Sequence, residues 1–296
     1  MKKLKYAFLS CLCATSVFAA SSFKTSTLAA PIQQQEINMR DYSNWYFISP
    51  AQEELGVANP HNTAHYANYS SNATPYNSYV LRAVDQVMSL RPDGGTYYTG
   101  KGESPAGYAI QFNGYSLLTP PRDSSYCSGA TYSVFIEALN LINPNYINNF
   151  SPAALEALKT QRADGSARPD NELFWGLWNN DFWGIYDAMV NYAGVGEVIS
   201  PYDAQPGDFM KIQWTASTGH FVVFLGWIKG ANGLPVGVRY WSSNQGTNGY
   251  GESEHSISSI YALLVVRLSN PDNLSKLNPS QVITPLKVNQ AGFVLK

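Results

Sequence analysis

Cysteine is scarce in this chain: of 296 residues only three are cysteine, and two of those, Cys11 and Cys13, fall within the first twenty positions. Beyond them Cys127 stands alone, which excludes an intramolecular disulfide framework for the rest of the chain. Charge is scarce too. Charged residues make up 14% and the net charge is -2, so no basic footprint points to nucleic acid or to an anionic membrane surface. After the first 19 residues no apolar run approaches the ~20 residues that a bilayer span needs, and no internal repeat is visible. What the chain has in quantity is aromatic: 20 Tyr, 13 Phe and 7 Trp. Most of these are expected in a core, where an aromatic side chain buries more area than any other.

The N-terminus begins Met1-Lys2-Lys3-Leu4-Lys5 and continues apolar from Tyr6 to Ala19, the charge and length pattern of a secretory signal peptide over 1–19. Val17-Phe18-Ala19 offers small residues for cleavage before Ala20, and Thr27-Leu28-Ala29 is a second candidate. Cys11 sits inside the apolar core of this segment and not at its end, which argues against lipid anchoring. The expectation is a secreted or periplasmic protein with no integral membrane segment after cleavage. Its mature length, about 270 residues, suffices for one domain with insertions or arms.

Residues 20–76 are rich in Asn, Ser, Ala and Tyr without periodicity, which reads as an irregular arm. Val80, Val84 and Met88 repeat at four-residue steps and predict a helix over 79–90. Arg91-Pro92-Asp93-Gly94-Gly95 then forms a turn, and a glycine-rich loop runs to Gly107. Tyr108 to Leu118 alternates like an extended segment. Ser124 or Ser125 is placed to cap a helix whose first turn holds Cys127 and which continues through Val134, Phe135, Ala138 and Leu139. Ser151-Pro152 opens a short helix through about Lys159, and Phe174, Trp175, Trp178, Phe182, Ile185 and Met189 predict a helix from near Asn171 to Tyr192. Strands are expected at 209–214, 221–228, 236–241 and 260–268, with Gly230-Ala231-Asn232-Gly233 as a hairpin turn. Helices carrying the cysteine, followed by an antiparallel sheet, make an α+β fold. The expected divisions are a hydrolase domain over 77–270, with a helical insertion at about 141–205, and a tail over 271–296.

A thiol attacks as thiolate, and a helix N-terminus favours the thiolate through its unpaired N–H groups and positive dipole end. Cys127 is therefore the candidate nucleophile. There are four histidines. His220 follows Thr218-Gly219 and opens the apolar run Phe221-Val222-Val223-Phe224-Leu225, which places it at a strand start as candidate base. His61 and His65 have helical ligand spacing but no third ligand, and no metal or other cofactor is expected. His255, in Gly251-Glu252-Ser253-Glu254, is expected in a surface loop. Asn244 follows the strand that a hairpin sets beside His220 and is the candidate for orienting the imidazole, with Ser242, Ser243 and Gln245 as alternatives on the same turn.

Tyr126-Cys127-Ser128-Gly129-Ala130 resembles the Cys-Ser-Gly signature of NlpC-type peptidoglycan hydrolases. Gln205-Pro206-Gly207-Asp208-Phe209 and Gly219-His220-Phe221-Val222-Val223 resemble their Pro-Gly-Asp and Gly-His strands. Trp241-Ser242-Ser243-Asn244-Gln245-Gly246 is similar to the polar turn of the related CHAP amidases. The resemblance covers about half the chain, from Ser124 to about Leu268. It implies a papain-like fold, Cys127 as nucleophile with its N–H in the oxyanion hole, His220 as general base and acid, and Asn244 orienting His220. It departs from the family at Tyr126, where Asp is usual, and in the length of the Leu141–Gln205 link. Tyr126, Ser128 and Trp241 are the candidate substrate contacts. Phe174, Trp175, Trp178 and Trp183 could wall a groove, but most of them are expected to pack the insertion onto the domain. The implied substrate is peptidoglycan or a peptide, cleaved at an amide. Two other functions fit the same residues: an exported effector or toxin that cleaves or deamidates a protein, and a non-catalytic surface-binding protein on a degenerate hydrolase fold. Oligomeric state is open.

Overall fold

The computed structural model describes residues 34–37, 43–99, 104–120, 122–159, 175, 183–278, 280–281 and 284–295. The expected signal peptide, the start of the arm and the middle of the 141–205 insertion (160–174 and 176–182) lie outside these, Phe174, Trp178 and Phe182 included.

The described fold is mixed α+β with a largely antiparallel sheet. Its helices are α1 (Pro50–Ala58), α2 (His65–Tyr69), α3 (Pro75–Leu90), α4 (Cys127–Ile142), α5 (Pro152–Leu158) and α6 (Gly184–Tyr186). The main sheet contains β1 (Gln34–Ile37), β6 (Gly196–Ile199), β7 (Phe209–Gln213), β8 (Gly219–Lys229), β9 (Pro235–Asn244), β10 (Gly249–Ser256), β11 (Ala262–Leu268) and β12 (Gly292–Leu295), and two small pairs are β2 (Thr96–Tyr97) with β5 (Ser124–Ser125) and β3 (Ile110–Phe112) with β4 (Tyr115–Leu118). Strand order in the sheet is β1-β12-β11-β7-β8-β9-β10, with β6 also on β11. Among the described residues no helix is long and apolar enough to cross a membrane.

Both faces of the sheet are buried. Phe221, Val223 and Leu225 of β8 join one apolar cluster with α3 and α4, while Val222 and Phe224 join a second with Trp45, Trp227 and Tyr240. Burial on two faces is why β8 reads as an unbroken apolar run and not as an alternating one. Helix α4 is buried nearly all round from Cys127 to Leu139 and packs on α3, β8 and β9.

Three short motifs have structural causes. A Cβ on Gly129 would lie 1.7 Å from the Pro105 carbonyl oxygen, so glycine lets the Gly95–Gly107 connection cross the first turn of α4. Gly207 takes φ +92 beside Asn77 and turns the chain into β7. Asp208 is fully buried and receives bonds from Arg267 (2.7 and 2.8 Å), Asn77 Nδ2 (2.8 Å) and Gln205 N–H (2.8 Å), tying α3, β7 and β11 together.

Several expectations are corrected. The arm is not irregular throughout: α1 has a Ser49–Gln52 capping box with Pro50 at its first position, and α2 follows it. The first turn of α4 is not capped by a serine; Tyr126 is the N-cap without a side-chain bond, and Ser125 Oγ instead meets Ser243 Oγ at 2.8 Å. The 249–256 segment is strand β10 and not a loop, its alternation masked by glycine and by buried Glu252. Of the helix expected over 171–192, the described part is α6 followed by a π-helical turn, Asp187–Tyr192. Trp175 and Trp183 take the expected packing role and not that of a groove wall: both are fully buried, with Trp175 Nε1 donating to the Ser128 carbonyl (3.0 Å) and Trp183 Nε1 to the Ala291 carbonyl (2.9 Å).

Asp187 holds the C-terminal segment, since Leu286 N–H donates to both of its carboxyl oxygens at 3.1 Å. Burial pushes this carboxyl up to about 7, against the opposing pull of Leu286 N–H, Asn191 and Lys211. A folded-state value raised above the ordinary 3.8 means that the contribution is present below about pH 4 and lost as pH rises through about 7. Asp187→Asn keeps the acceptor without the charge. Thermal melts should show the variant gaining on wild type between pH 4 and 7, reaching about 5 °C at pH 8; a gap independent of pH would refute this.

Candidate active site

Cys127 is the first residue of α4, where the leading N–H groups lack helical acceptors. The preceding strand β5 pairs with β2, and the Ser125–Ser243 contact ties it to β9 just before Asn244. His220 lies at the start of β8, opposite Ile212 on β7. Asn244 ends β9, so the β8–β9 hairpin delivers it beside the histidine.

The polarity of the triad follows from counting donors and acceptors. Asn244 Nδ2 donates to the Gly251 carbonyl (2.9 Å) and the Ser242 carbonyl (3.2 Å), which turns Oδ1 towards His220. His220 Nε2 lies 2.8 Å from that oxygen. An amide oxygen only accepts, so Nε2 carries a hydrogen and donates. Nδ1 is left for the hydrogen bond that His220 shares with Cys127. Both groups are enclosed, Cys127 at 4% and His220 at 9% exposure.

Burial pushes the Cys127 thiol up, but the charge of His220, its hydrogen bond, the Phe221 N–H and the charge of Lys211 pull harder, and the net shift is down. For His220 burial acts downward, while Cys127 and the Asn244 bond hold the imidazolium, and the net shift is up. Opposite shifts on two hydrogen-bonded groups favour the thiolate–imidazolium form, and the two titrate as a pair.

The other candidates divide. Ser242 Oγ donates to the Phe221 carbonyl (2.6 Å), Ser243 pairs with Ser125, and Gln245 is exposed, so Asn244 is the residue of that turn bonded to His220. Of the three expected substrate contacts, Tyr126 is partly exposed. Ser128 and Trp241 are instead core residues: Ser128 lies under Trp175, and Trp241 packs on Tyr250 with ring centroids 5.2 Å apart, on the face covered by α4.

The other histidines do not assemble a metal site; among the described residues no group of three suitable ligands occurs. His61 Nδ1 sits 2.7 Å from the Tyr250 carbonyl. His65 is fully buried between Asp85 (2.8 Å) and Glu252 (3.4 Å), and Glu252 also accepts from Asn62 (2.5 Å) and Tyr69 (3.1 Å). This buried cluster fastens α2 to β10 and α3 and is remote in role from the thiol.

Sequence reasoning missed Lys211, Tyr240 and Trp214. Lys211 is fully buried with Nζ 4.9 Å from the Phe221 ring centre, and its charge reaches both Cys127 and Asp187. The signal available was a lysine at an inward position of a short apolar strand. Tyr240 stands edge-on to His220 at 5.6 Å, and Trp214 lies 6.4 Å from it. No family model, curated protein or solved structure matches the chain.

Proposed function

We propose that this protein is an exported cysteine hydrolase with a papain-like arrangement, which cleaves amide bonds through Cys127, His220 and Asn244. The observation that carries the reading is the thiol at the head of α4, hydrogen-bonded to an imidazole whose far nitrogen is held by the Asn244 amide. The thiolate attacks the carbonyl carbon and the Cys127 N–H meets the developing oxyanion. Collapse of this intermediate breaks the C–N bond, and the imidazolium gives its proton to the leaving amine. A water, deprotonated by the now neutral His220, then splits the thioester and regenerates the thiol.

Asn244 acts on His220 alone, fixing the tautomer and the ring plane. Lys211, itself fully buried, adds positive charge that favours the thiolate. The Cys-Ser-Gly, Pro-Gly-Asp and Gly-His order supports peptidoglycan peptides as the substrate. The test is incubation of the mature protein with purified sacculi under reducing conditions, with analysis of the released fragments. New amino and carboxyl termini in the stem peptides, or a freed lactyl carboxylate, support the reading. Intact sacculi would refute the substrate, and an unreactive thiol would refute the chemistry.

A further inference from the structure

Four rings meet at the open end of the sheet. Trp214 stacks on His255 with centroids 4.1 Å apart and lies 6.4 Å from His220, nearly parallel to both. Tyr240 approaches His220 edge-on at 5.6 Å and its hydroxyl is 3.2 Å from His255 Nδ1. Trp214 and His255 are partly exposed, whereas Tyr240 is buried to 2%. Tyr261, 39% exposed, donates its N–H to the Gln213 carbonyl, which places it on the strand neighbouring Trp214.

This wall is rigid before any substrate arrives. Trp214 heads a tight turn in which its N–H donates to the Thr218 carbonyl (2.9 Å), Thr215 and Thr218 hydroxyls meet at 2.7 Å, and Ser217 and Thr218 N–H groups donate to Thr215 Oγ1. His255 is held below its ordinary value by burial and by the charge of His220, so it presents a neutral, flat ring. The leaving amine takes its proton from the His220 imidazole, so the leaving group must sit against whatever flanks that ring.

Resting on the hydrolase reading above, we infer that Trp214 and His255 form the leaving-group subsite, selecting amines that carry an apolar side chain, with Tyr240 as a positioning residue for His255. Stacking on a preformed aromatic face favours such a side chain over hydrogen.

By microscopic reversibility the same subsite binds an incoming amine. The Cys127 thiolate attacks the carbonyl of p-nitrophenyl acetate, the acyl C–O bond breaks with release of p-nitrophenolate, and a thioester remains. An amine nitrogen attacks its carbonyl, the C–S bond breaks with the electron pair leaving on sulfur, and the amine proton passes to His220. L-phenylalaninamide and glycinamide are offered together, and the product ratio is divided by the ratio formed without enzyme. Wild type should favour phenylalaninamide by about tenfold, and Trp214→Ala should bring the ratio within about threefold of unity. Trp214→Leu, which retains apolar volume, and His255→Ala should give intermediate ratios, so a misfolded alanine variant does not decide the matter. A wild-type ratio near one, or a ratio unmoved by all three variants, overturns the subsite alone. Absence of any Cys127-dependent acetyl transfer in wild type overturns the hydrolase reading and the subsite with it.

Discussion

Cys127→Ala is expected to abolish amide hydrolysis, lowering kcat by at least about 1000-fold while the protein remains folded. Removal of a covalent nucleophile costs that much because no neighbouring group replaces it. Hydroxyls of the same region have other duties: Ser128 and Ser125 are buried, Thr131 Oγ1 donates back to the Cys127 carbonyl (3.2 Å), and Ser243 is engaged by Ser125. Folding should survive because the alanine conserves the small apolar volume and the backbone N–H groups of α4. Fragment release from sacculi, or hydrolysis of any amide found to be a substrate, measures the loss, and thermal melting checks the fold. Full activity in the variant would mean that the chemistry lies elsewhere in the molecule.

The largest effect on stability is expected at Asp208. Its carboxylate is fully buried and answers Arg267 through two short bonds, and Asn77 and the Gln205 N–H through one each. Burial alone pushes this carboxyl up, and Arg267, the Gln205 N–H and Asn77 together offset only part of that. Asp208→Ala leaves the Arg267 guanidinium, only 14% exposed, without its anion. Breaking a buried pair by deleting one partner costs about 3–5 kcal/mol, which denaturant unfolding monitored by tryptophan fluorescence will read as a lower midpoint. The double replacement Asp208→Leu with Arg267→Met removes both charges and should recover part of the loss. An Asp208→Ala midpoint equal to wild type would show that the motif is dispensable to the fold. The Pro-Gly-Asp motif thus serves architecture: it fixes β7, and through β7 the positions of Lys211, Gln213 and Trp214.

Much of this was legible in the sequence where one physical signal dominated. The four-residue repeat of Val80, Val84 and Met88 gave α3, and Ser151-Pro152 gave α5 with Ser151 accepting from Ala154 N–H. The β8 and β9 strands and their Gly230–Gly233 turn follow from apolar runs broken by glycine, and Cys127, His220 and Asn244 were placed by their positions at element ends. Where two signals compete, the sequence alone misleads. Strand β10 contains Gly251, Glu252, Ser253 and Glu254, and its polarity reads as a loop because the partners of Glu252 come from residues almost 200 positions away. The serines before α4 suggest a cap that does not form, because Ser125 is drawn to Ser243 across the fold instead of to its own helix. Trp241 adjoins a polar turn, which suggests an accessible ring, yet strand alternation turns it into the α4 face. Lys211 could not be assigned at all from a single strand, since its role depends on Phe221, Cys127 and Asp187 converging on it.

The central claim is that His220 holds Cys127 as a thiolate. It is tested most directly by the rate of Cys127 alkylation by iodoacetamide as a function of pH, in wild type and in His220→Ala. An ordinary thiol titrates near 8.5, so an unassisted Cys127 gains reactivity only around that value or above. Wild type should keep most of its reactivity well below pH 8, falling only when the coupled pair takes up its second proton in acid. His220→Ala should lose that acid-side reactivity by about tenfold or more at pH 6 and rise only towards alkaline pH. Superimposable profiles for the two proteins, both rising at or above pH 8.5, would contradict the account.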